Sequence, residues 1–352
     1  MVFKRASFPN PVLEKGALGF TPMQKKILQL SIIIVNWNTR DLLRACLESI
    51  YREVRNVSFE ILVVDNASAD SSAEMVRKEF SSVNLIENTV NAGFGRANNQ
   101  AYRQSRGEYV MFLNPDTEIH NQAPEKMIDF MKAHAEAWLV GPRAVHPDGT
   151  LQVSWCYFPS LAMVWTNGVP LKEAMAMIPL FRKILKSDAI YTNAGYTLPQ
   201  SISSRPVDYL LGQCLMTKRS VLEQVGVFDE SIFMYEEEAD LCYRIHQAGG
   251  QVWFVNEAEI LHYERQSIKQ LPNELKEEAR WFIQARTHFF KKYKGWIALV
   301  LFHVMTVVST FIKLILFSLA ILIDAKKRDY LKRKRQYHAY IGLYYLQRMF
   351  GQ

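Results

Sequence analysis

A chain of 352 residues, 49% hydrophobic and 22% charged, has enough apolar material for one large domain plus an appendage, or for two domains, and its composition excludes extended disorder. The net charge of +7 is local, because Lys326, Lys327, Arg328, Lys332, Arg333, Lys334 and Arg335, against Asp329, supply +6 of it beside an apolar segment. That placement excludes a nucleic-acid binder with charge spread over a groove, and points to a membrane surface.

The four cysteines, Cys46, Cys156, Cys214 and Cys242, have no C-x-x-C or zinc spacing, so a reduced cytosolic setting is expected. Residues 1–20 lack the continuous apolar stretch of a secretory signal. Residues 1–30 mix Pro, Gly and basic residues without period and read as an irregular arm. The run 31–36 is short, apolar and β-branched, as expected of a strand buried on both faces of a parallel sheet. Leu42, Leu43, Cys46, Leu47 and Ile50 then recur at helical spacing over 41–52. Residues 60–65 repeat the strand, 71–80 the helix, 83–87 a third strand, 95–105 a third helix and 109–113 a fourth strand. This alternation predicts an α/β fold with a doubly wound, mostly parallel sheet. Beyond 121 the pattern weakens. Residues 160–205 read as an acceptor-side insertion, 208–218 as a strand pair, 237–248 as a helix, 251–255 as a strand and 271–292 as a long helix.

Ligands of such sheets sit outside the carboxyl ends of the strands, and the polar clusters fall there: Asn36 and Asn38, Asp65, Asn91 to Gly95, and Asn114 to Asp116. Asp116, just past a buried strand, could hold a hard cation against a diphosphate, although Asn-Pro-Asp is also good turn chemistry. Asp65 is placed to accept hydrogen bonds from a nucleobase or ribose. Gly93 and Gly95 would let backbone approach a phosphate, and Arg96 could pair with its oxygens. A dinucleotide fingerprint would place its glycines after the first strand, so a dehydrogenase reading falls. Glu236, Glu237, Glu238 and Asp240 put four carboxylates in five residues. Acids favour a helix N-terminus, but four exceed what capping needs, and crowding raises a carboxyl pKa toward general-base use. His262 follows the helix and strand that return the chain to the same crevice, so a metal role beside Asp116 is reasonable.

The order S-I-I-I-V-N-W-N, V-V-D-N-A-S, N-A-G-F-G-R-A-N-N, L-N-P-D, G-x-C-L-M-x-K-R and F-D-E-S-I-F-M-Y-E-E-E-A-D-L resembles glycosyltransferase family 2, the GT-A nucleotide-sugar transferases, over about 31–267. Its look is closest to bacterial rhamnosyltransferases of lipid-linked polysaccharide assembly. The resemblance implies a GT-A domain over 31–268 and a metal-dependent, inverting hexosyltransferase. It would move L-rhamnose from dTDP-rhamnose to a polyprenyl-diphosphate-linked saccharide, with Mg²⁺ or Mn²⁺ as cofactor. Asn36, Asn38, Asp65, Asn91, Gly93, Arg96 and Asn114 would serve the donor, and Asp116 and His262 the metal. Glu238 would be the base, with Glu237 and Asp240 beside it in the catalytic cluster. Two departures stand out: Asn114 replaces the first acid of D-x-D, and Glu replaces the usual Asp at the base position. The alternatives are a transferase for another UDP- or GDP-sugar, and a non-catalytic nucleotide-sugar-binding membrane regulator.

Residues 269–352 read as a helical, membrane-associating region. The stretch 297–323 is long enough to span a bilayer, yet His303, Thr306, Ser309, Thr310 and Lys313 share one helical face. That stripe favours an interfacial helix with its polar face toward headgroups or the catalytic domain. The basic run would then meet anionic lipid at the cytoplasmic face of the plasma (inner) membrane.

Overall fold

The computed structural model describes residues 28–168, 203–264, 266–323 and 328–349. Most of the arm expected over 1–30 and of the insertion expected over 160–205 lies outside the described residues, as do positions 324–327 of the basic run. In chain order the elements are β1 (Leu30–Asn36), α1 (Arg40–Glu53), β2 (Phe59–Asp65), α2 (Ser72–Glu79), β3 (Asn84–Glu87), α3 (Phe94–Gln104) and β4 (Tyr109–Leu113). Next come β5 (Thr117–His120), α4 (Ala123–Ala133), β6 (Ala137–Val145), β7 (Trp155–Cys156), α5 (Leu161–Gly168), β8 (Arg205–Val207), β9 (Tyr209–Leu210) and β10 (Cys214–Lys218). The chain continues with α6 (Arg219–Val225), α7 (Glu237–Gln247), β11 (Gln251–His262), α8 (Glu274–Tyr293), α9 (Gly295–Ile323) and α10 (Arg328–Met349).

The continuous apolar runs work as two-faced strands. Ile32 and Ile34 of β1 join Ile61 and Val63 of β2 in one core under α1, α2 and α4. Ile33, Val35, Leu62 and Val64 enter the other core, under α3, α6 and α7. Each such fully buried side chain contributes about 1.5–3 kcal/mol of transfer free energy. The strand order is β3-β2-β1-β4-β10-β6-β11-β5, with β8 on β11. The pairs β1 with β2, β1 with β4, β2 with β3 and β6 with β11 are parallel. This is a GT-A-like mixed, mostly parallel α/β sheet.

Two expectations are corrected. Residues 208–218 do not form a strand pair: β9 pairs with β7, while β10 inserts antiparallel between β4 and β6. Its Cys214 and Met216 enter one core and Leu215 the other, so β10 is stable only where both faces are covered. The strand expected to end at 255 runs on to His262. A register shift after Val255 carries it past β6 and into antiparallel pairing with β5.

The C-terminal helices are not detached. Tyr243 of α7 stacks near Phe289 and Tyr293 of α8, with ring centroids 5.3 and 4.3 Å away. α9 and α10 form a hairpin held by the contact of His303 Nδ1 with Tyr345 Oη (3.0 Å) and by a Phe317–His338 stack. Ser309 and Thr310 are buried against it, whereas Trp296, Val300, Val304, Phe311 and Leu322 are exposed. The polar stripe of α9 therefore faces α10, and its outward face is apolar. Among the described residues α9 is the one helix long and apolar enough to cross a membrane, with mean hydropathy 2.2.

Candidate active site

Register builds the crevice. Asn36 pairs with Asp65, and Ile34 with Leu113, so the ends of β1, β2 and β4 stand at one level. β10 begins at that level, because Cys214 pairs with Leu113, and Asn114 N donates to Gln213 O at 3.0 Å. The resulting cavity of about 290 Å³ is lined by Trp37, Asn66, Asn91, Asn114, Asp116, Gly212, Gln213, Tyr235, Glu237, Glu238 and His262, among others.

Antiparallel pairing of Thr117 with His262 sets the imidazole beside Asp116, with His262 Nε2 3.4 Å from Asp116 Oδ1. Gln152 fixes which nitrogen carries the proton. Its amide nitrogen lies 2.6 Å from the His262 carbonyl and must donate there, so its Oε1, 2.8 Å from His262 Nδ1, must accept. With the Nδ1 proton committed to Gln152, Nε2 is the ring atom turned toward the Asp116 carboxylate, an arrangement that either a proton or a metal cation between the two completes. The Nδ1 contact is the outer-shell support that metal-ligating histidines require. The residues present thus fit a divalent ion.

The acid cluster divides into pairs with different partners. Glu236 is buried and accepts from Arg286 Nε of α8 at 2.8 Å. Asp240 is engaged by Arg244 (2.9 Å), Lys292 (2.7 Å) and Tyr293 (2.7 Å), so its carboxylate does not face the crevice. That leaves Glu237 and Glu238, both buried, both lining the crevice, each with an Oε2 that has no hydrogen-bond partner. Burial, and then the neighbouring Glu237 charge, push the Glu238 carboxyl well above the ordinary carboxylate range. Burial raises Glu237 to about 7. The turn feeding them is strained, with Tyr235 at φ 70° and Glu236 at φ 63°. The Arg286 pair clamps it. Arg286→Ala leaves Glu236 buried and uncompensated and is expected to cost about 3–5 kcal/mol in chemical denaturation. Adding Glu236→Gln should recover much of that loss.

Asp229, Asp240 and His288 also bring ligand atoms within 4.8 Å of one another. Lys292 Nζ lies 2.7 Å from both Asp229 Oδ2 and Asp240 Oδ1, so an ammonium already occupies the place of a cation.

The other expected donor residues are spread unevenly. Asn91 and Asn114 line the crevice. Asp65 is buried beneath it, accepting from Asn36 Nδ2 and Ser68 N, both at 3.0 Å. Asn38 ties the first two loops together, since its Oδ1 accepts from Ala69 N at 2.6 Å. Arg96 is 56% exposed, pairs with Glu230 at 3.5 Å and does not line the crevice. Gly93 makes room for protein rather than phosphate: at φ 84°, an added Cβ would lie 2.6 Å from Phe233 O. Asn66, Gln152 and Gln213 were not singled out in the sequence. Asn66 joins the second and third loops through Asn91 Oδ1 (3.0 Å) and Ala92 N (3.1 Å), and its place directly after Asp65 was the available signal.

A GT-A-like sheet with a carboxylate-lined crevice at the strand ends defines the class as a nucleotide-sugar transferase fold. The profile of glycosyl transferase family 2 matches residues 31–226, and the chain belongs to that family. The match includes Asp65, Asn114 and Asp116 and ends before the acid cluster. The N-acetylglucosaminyl-diphospho-decaprenol L-rhamnosyltransferase of Mycobacterium tuberculosis is 30% identical over 223 residues, covering 60% of this chain and 69% of that protein. The low-salt glycan biosynthesis hexosyltransferase Agl10 of Haloferax volcanii is 29% identical over 226 residues, covering 63% of this chain and 62% of its own. Among solved structures, the Pyrobaculum calidifontis mannosyltransferase PcManGT, in complex with GDP-Man and Mn²⁺, has a TM-score of 0.53. That likeness covers 90% of this chain and 86% of that one at 15% identity, a likeness of fold.

Proposed function

We propose that the protein is a divalent-metal-dependent, inverting transferase that moves a hexose from a nucleotide donor to a saccharide carried on a polyprenyl diphosphate. The observation that carries this reading is the pair of buried carboxylates, Glu237 and Glu238, each with an Oε2 that has no hydrogen-bond partner, lining one crevice with Asp116 and His262. Similarity to an L-rhamnosyltransferase of a diphospho-decaprenol acceptor favours dTDP-rhamnose as donor and a lipid-linked acceptor.

In this mechanism the acceptor hydroxyl hydrogen-bonds to Glu238, which takes its proton as the oxygen attacks the anomeric carbon. The bond from that carbon to the diphosphate breaks on the opposite face, so configuration inverts. Asp116 and His262 would hold Mg²⁺ or Mn²⁺, which would supply charge neutralisation at the departing diphosphate. Gln152 keeps His262 Nε2 bare for that duty, and Gln152→Ala is expected to raise the metal concentration for half-maximal activity about 10–100-fold. Asn36, Asn38, Asp65 and Asn91 shape the donor loops, and Trp37 offers an aromatic face beside them. The outward apolar surface of α9 and the basic start of α10, which suits anionic lipid, support seating on a membrane, in this reading at its cytoplasmic face.

The test is a donor panel of dTDP-rhamnose, UDP-sugars and GDP-sugars with Mn²⁺ or Mg²⁺, measuring nucleoside diphosphate release with and without membrane lipid extract. Lipid-stimulated release from dTDP-rhamnose is expected. Metal-independent release, or none from any donor by folded protein, counts against the reading.

A further inference from the structure

A second groove, of about 270 Å³, lies between the 231–234 segment, α8 and the last turns of α10. Met234 lines both this groove and the donor crevice, so the two adjoin at the strained turn that carries Glu237 and Glu238. Phe233 and Trp281 give the groove an aromatic wall, with ring centroids 5.1 Å apart. Lys291 and Arg348 bring cationic heads to it, and neither has a carboxylate partner among the described residues. Thr287 Oγ1 and Tyr344 Oη are buried in the same region without a hydrogen-bond partner. A buried hydroxyl left unpaired costs about 1–3 kcal/mol, a cost that side-chain rotation toward a ligand oxygen in the groove would relieve.

One wall of the groove is α10, which joins it to the C-terminal helical hairpin. α10, which supplies Tyr344 and Arg348, packs against α9 through the His303–Tyr345 contact, and α9 turns an apolar face outward. A ligand meeting all these features has a dianionic diphosphate, an apolar tail that continues into a membrane and a polar end that reaches the acids. Anionic phospholipid headgroups match the open basic start of α10 better than a groove walled by aromatic rings.

We propose that this groove binds the diphosphate and the first isoprene units of the polyprenyl-diphosphate acceptor, with Lys291, Arg348, Thr287 and Tyr344 on the phosphates and Phe233 and Trp281 against the hydrocarbon. This assignment rests on the transfer reaction proposed above and locates its second substrate. It accounts for the adjacency of groove and crevice, because a sugar linked to the diphosphate would extend past Met234 toward Glu238.

The experiment is calorimetric titration of the full chain in detergent with farnesyl diphosphate, inorganic diphosphate and phosphatidylglycerol vesicles. Farnesyl diphosphate is expected to bind more tightly than inorganic diphosphate. Lys291→Ala combined with Arg348→Ala should weaken it by at least about tenfold, since each charge-assisted contact is a strong one. The near-isosteric Thr287→Val removes one hydroxyl and should weaken it about threefold at unchanged melting temperature, which keeps the test valid if the double variant folds poorly. Several outcomes overturn the assignment: no binding of farnesyl diphosphate, equal binding by the variants, inorganic diphosphate binding as tightly, or displacement by the vesicles. No donor is present and no turnover is read, so failure here is distinct from failure of the transfer reaction, which is read as nucleoside diphosphate release.

Discussion

Glu238→Gln is expected to lower kcat by about 10³-fold, within the range that a positioned general base contributes, while the folded protein becomes no less stable. Glutamine keeps the shape of the side chain and removes the ability to take a proton. The carboxyls at this site are raised by burial, Glu237 to about 7 and Glu238 well above the ordinary carboxylate range, so in the wild type activity should climb with pH as the pair loses its shared protons. Stability should move the opposite way. A carboxyl whose folded pKa lies above its unfolded value contributes stability that is complete below about 4.5 and lost as pH rises through the folded pKa, about 7 for Glu237. Replacing either acid with glutamine should therefore raise the melting temperature at pH 8 and leave it nearly unchanged at pH 4.5. For Glu237→Gln the gain has an upper bound of about 3–4 kcal/mol, at about 1.4 kcal/mol per pKa unit over the rise from 4.5 to about 7. Single-turnover rates and melting curves across pH 5–9 check both halves. Wild-type turnover in Glu238→Gln would remove it as the base, and the same measurement on Glu237→Gln would then decide between the neighbours.

The first half of the sheet was legible because its signals are local. The run 31–36 alternates its side chains between two cores by the period of a strand, and the structure gives Leu30–Asn36. What was not legible depends on pairing across long separations. Nothing in the sequence near Cys214 says that β10 enters antiparallel between β4 and β6, and that insertion places Gly212 and Gln213 on the crevice floor. The acid cluster shows the same limit. Four adjacent carboxylates look equivalent until α8, about fifty residues on, brings Arg286 to Glu236, and Lys292 and Tyr293 to Asp240. One local signal was available, since Arg244 stands four residues after Asp240 on the same helix and pairs with it. His262 was placed near Asp116 by chain return, but the support from Gln152, 110 residues away, needed the fold.

Asp116→Ala carries the second large expected effect, a fall in kcat of about 10³-fold that added Mn²⁺ does not restore, as for the loss of a charge-stabilising group at a developing anion. The reason lies in the donor set. On the motif resemblance Asn114 stands where D-x-D has its first acid, so Asp116 would be the charged ligand that remains, with His262 Nε2 as its uncharged companion when a metal is bound. Removing Asp116 leaves a lone imidazole, whereas His262→Ala keeps the charge and should instead raise the metal requirement about 10–100-fold with kcat recoverable at high Mn²⁺. The two variants thus separate charge from ligand count in one metal titration of nucleoside diphosphate release. If Asp116→Ala turns over at near wild-type rate in the presence of chelator, the crevice does its chemistry without a metal, and Asp116 and His262 are an ion pair that fastens β5 to β11. A requirement that shifts for His262→Ala and vanishes with activity for Asp116→Ala assigns the two as ligands of one ion.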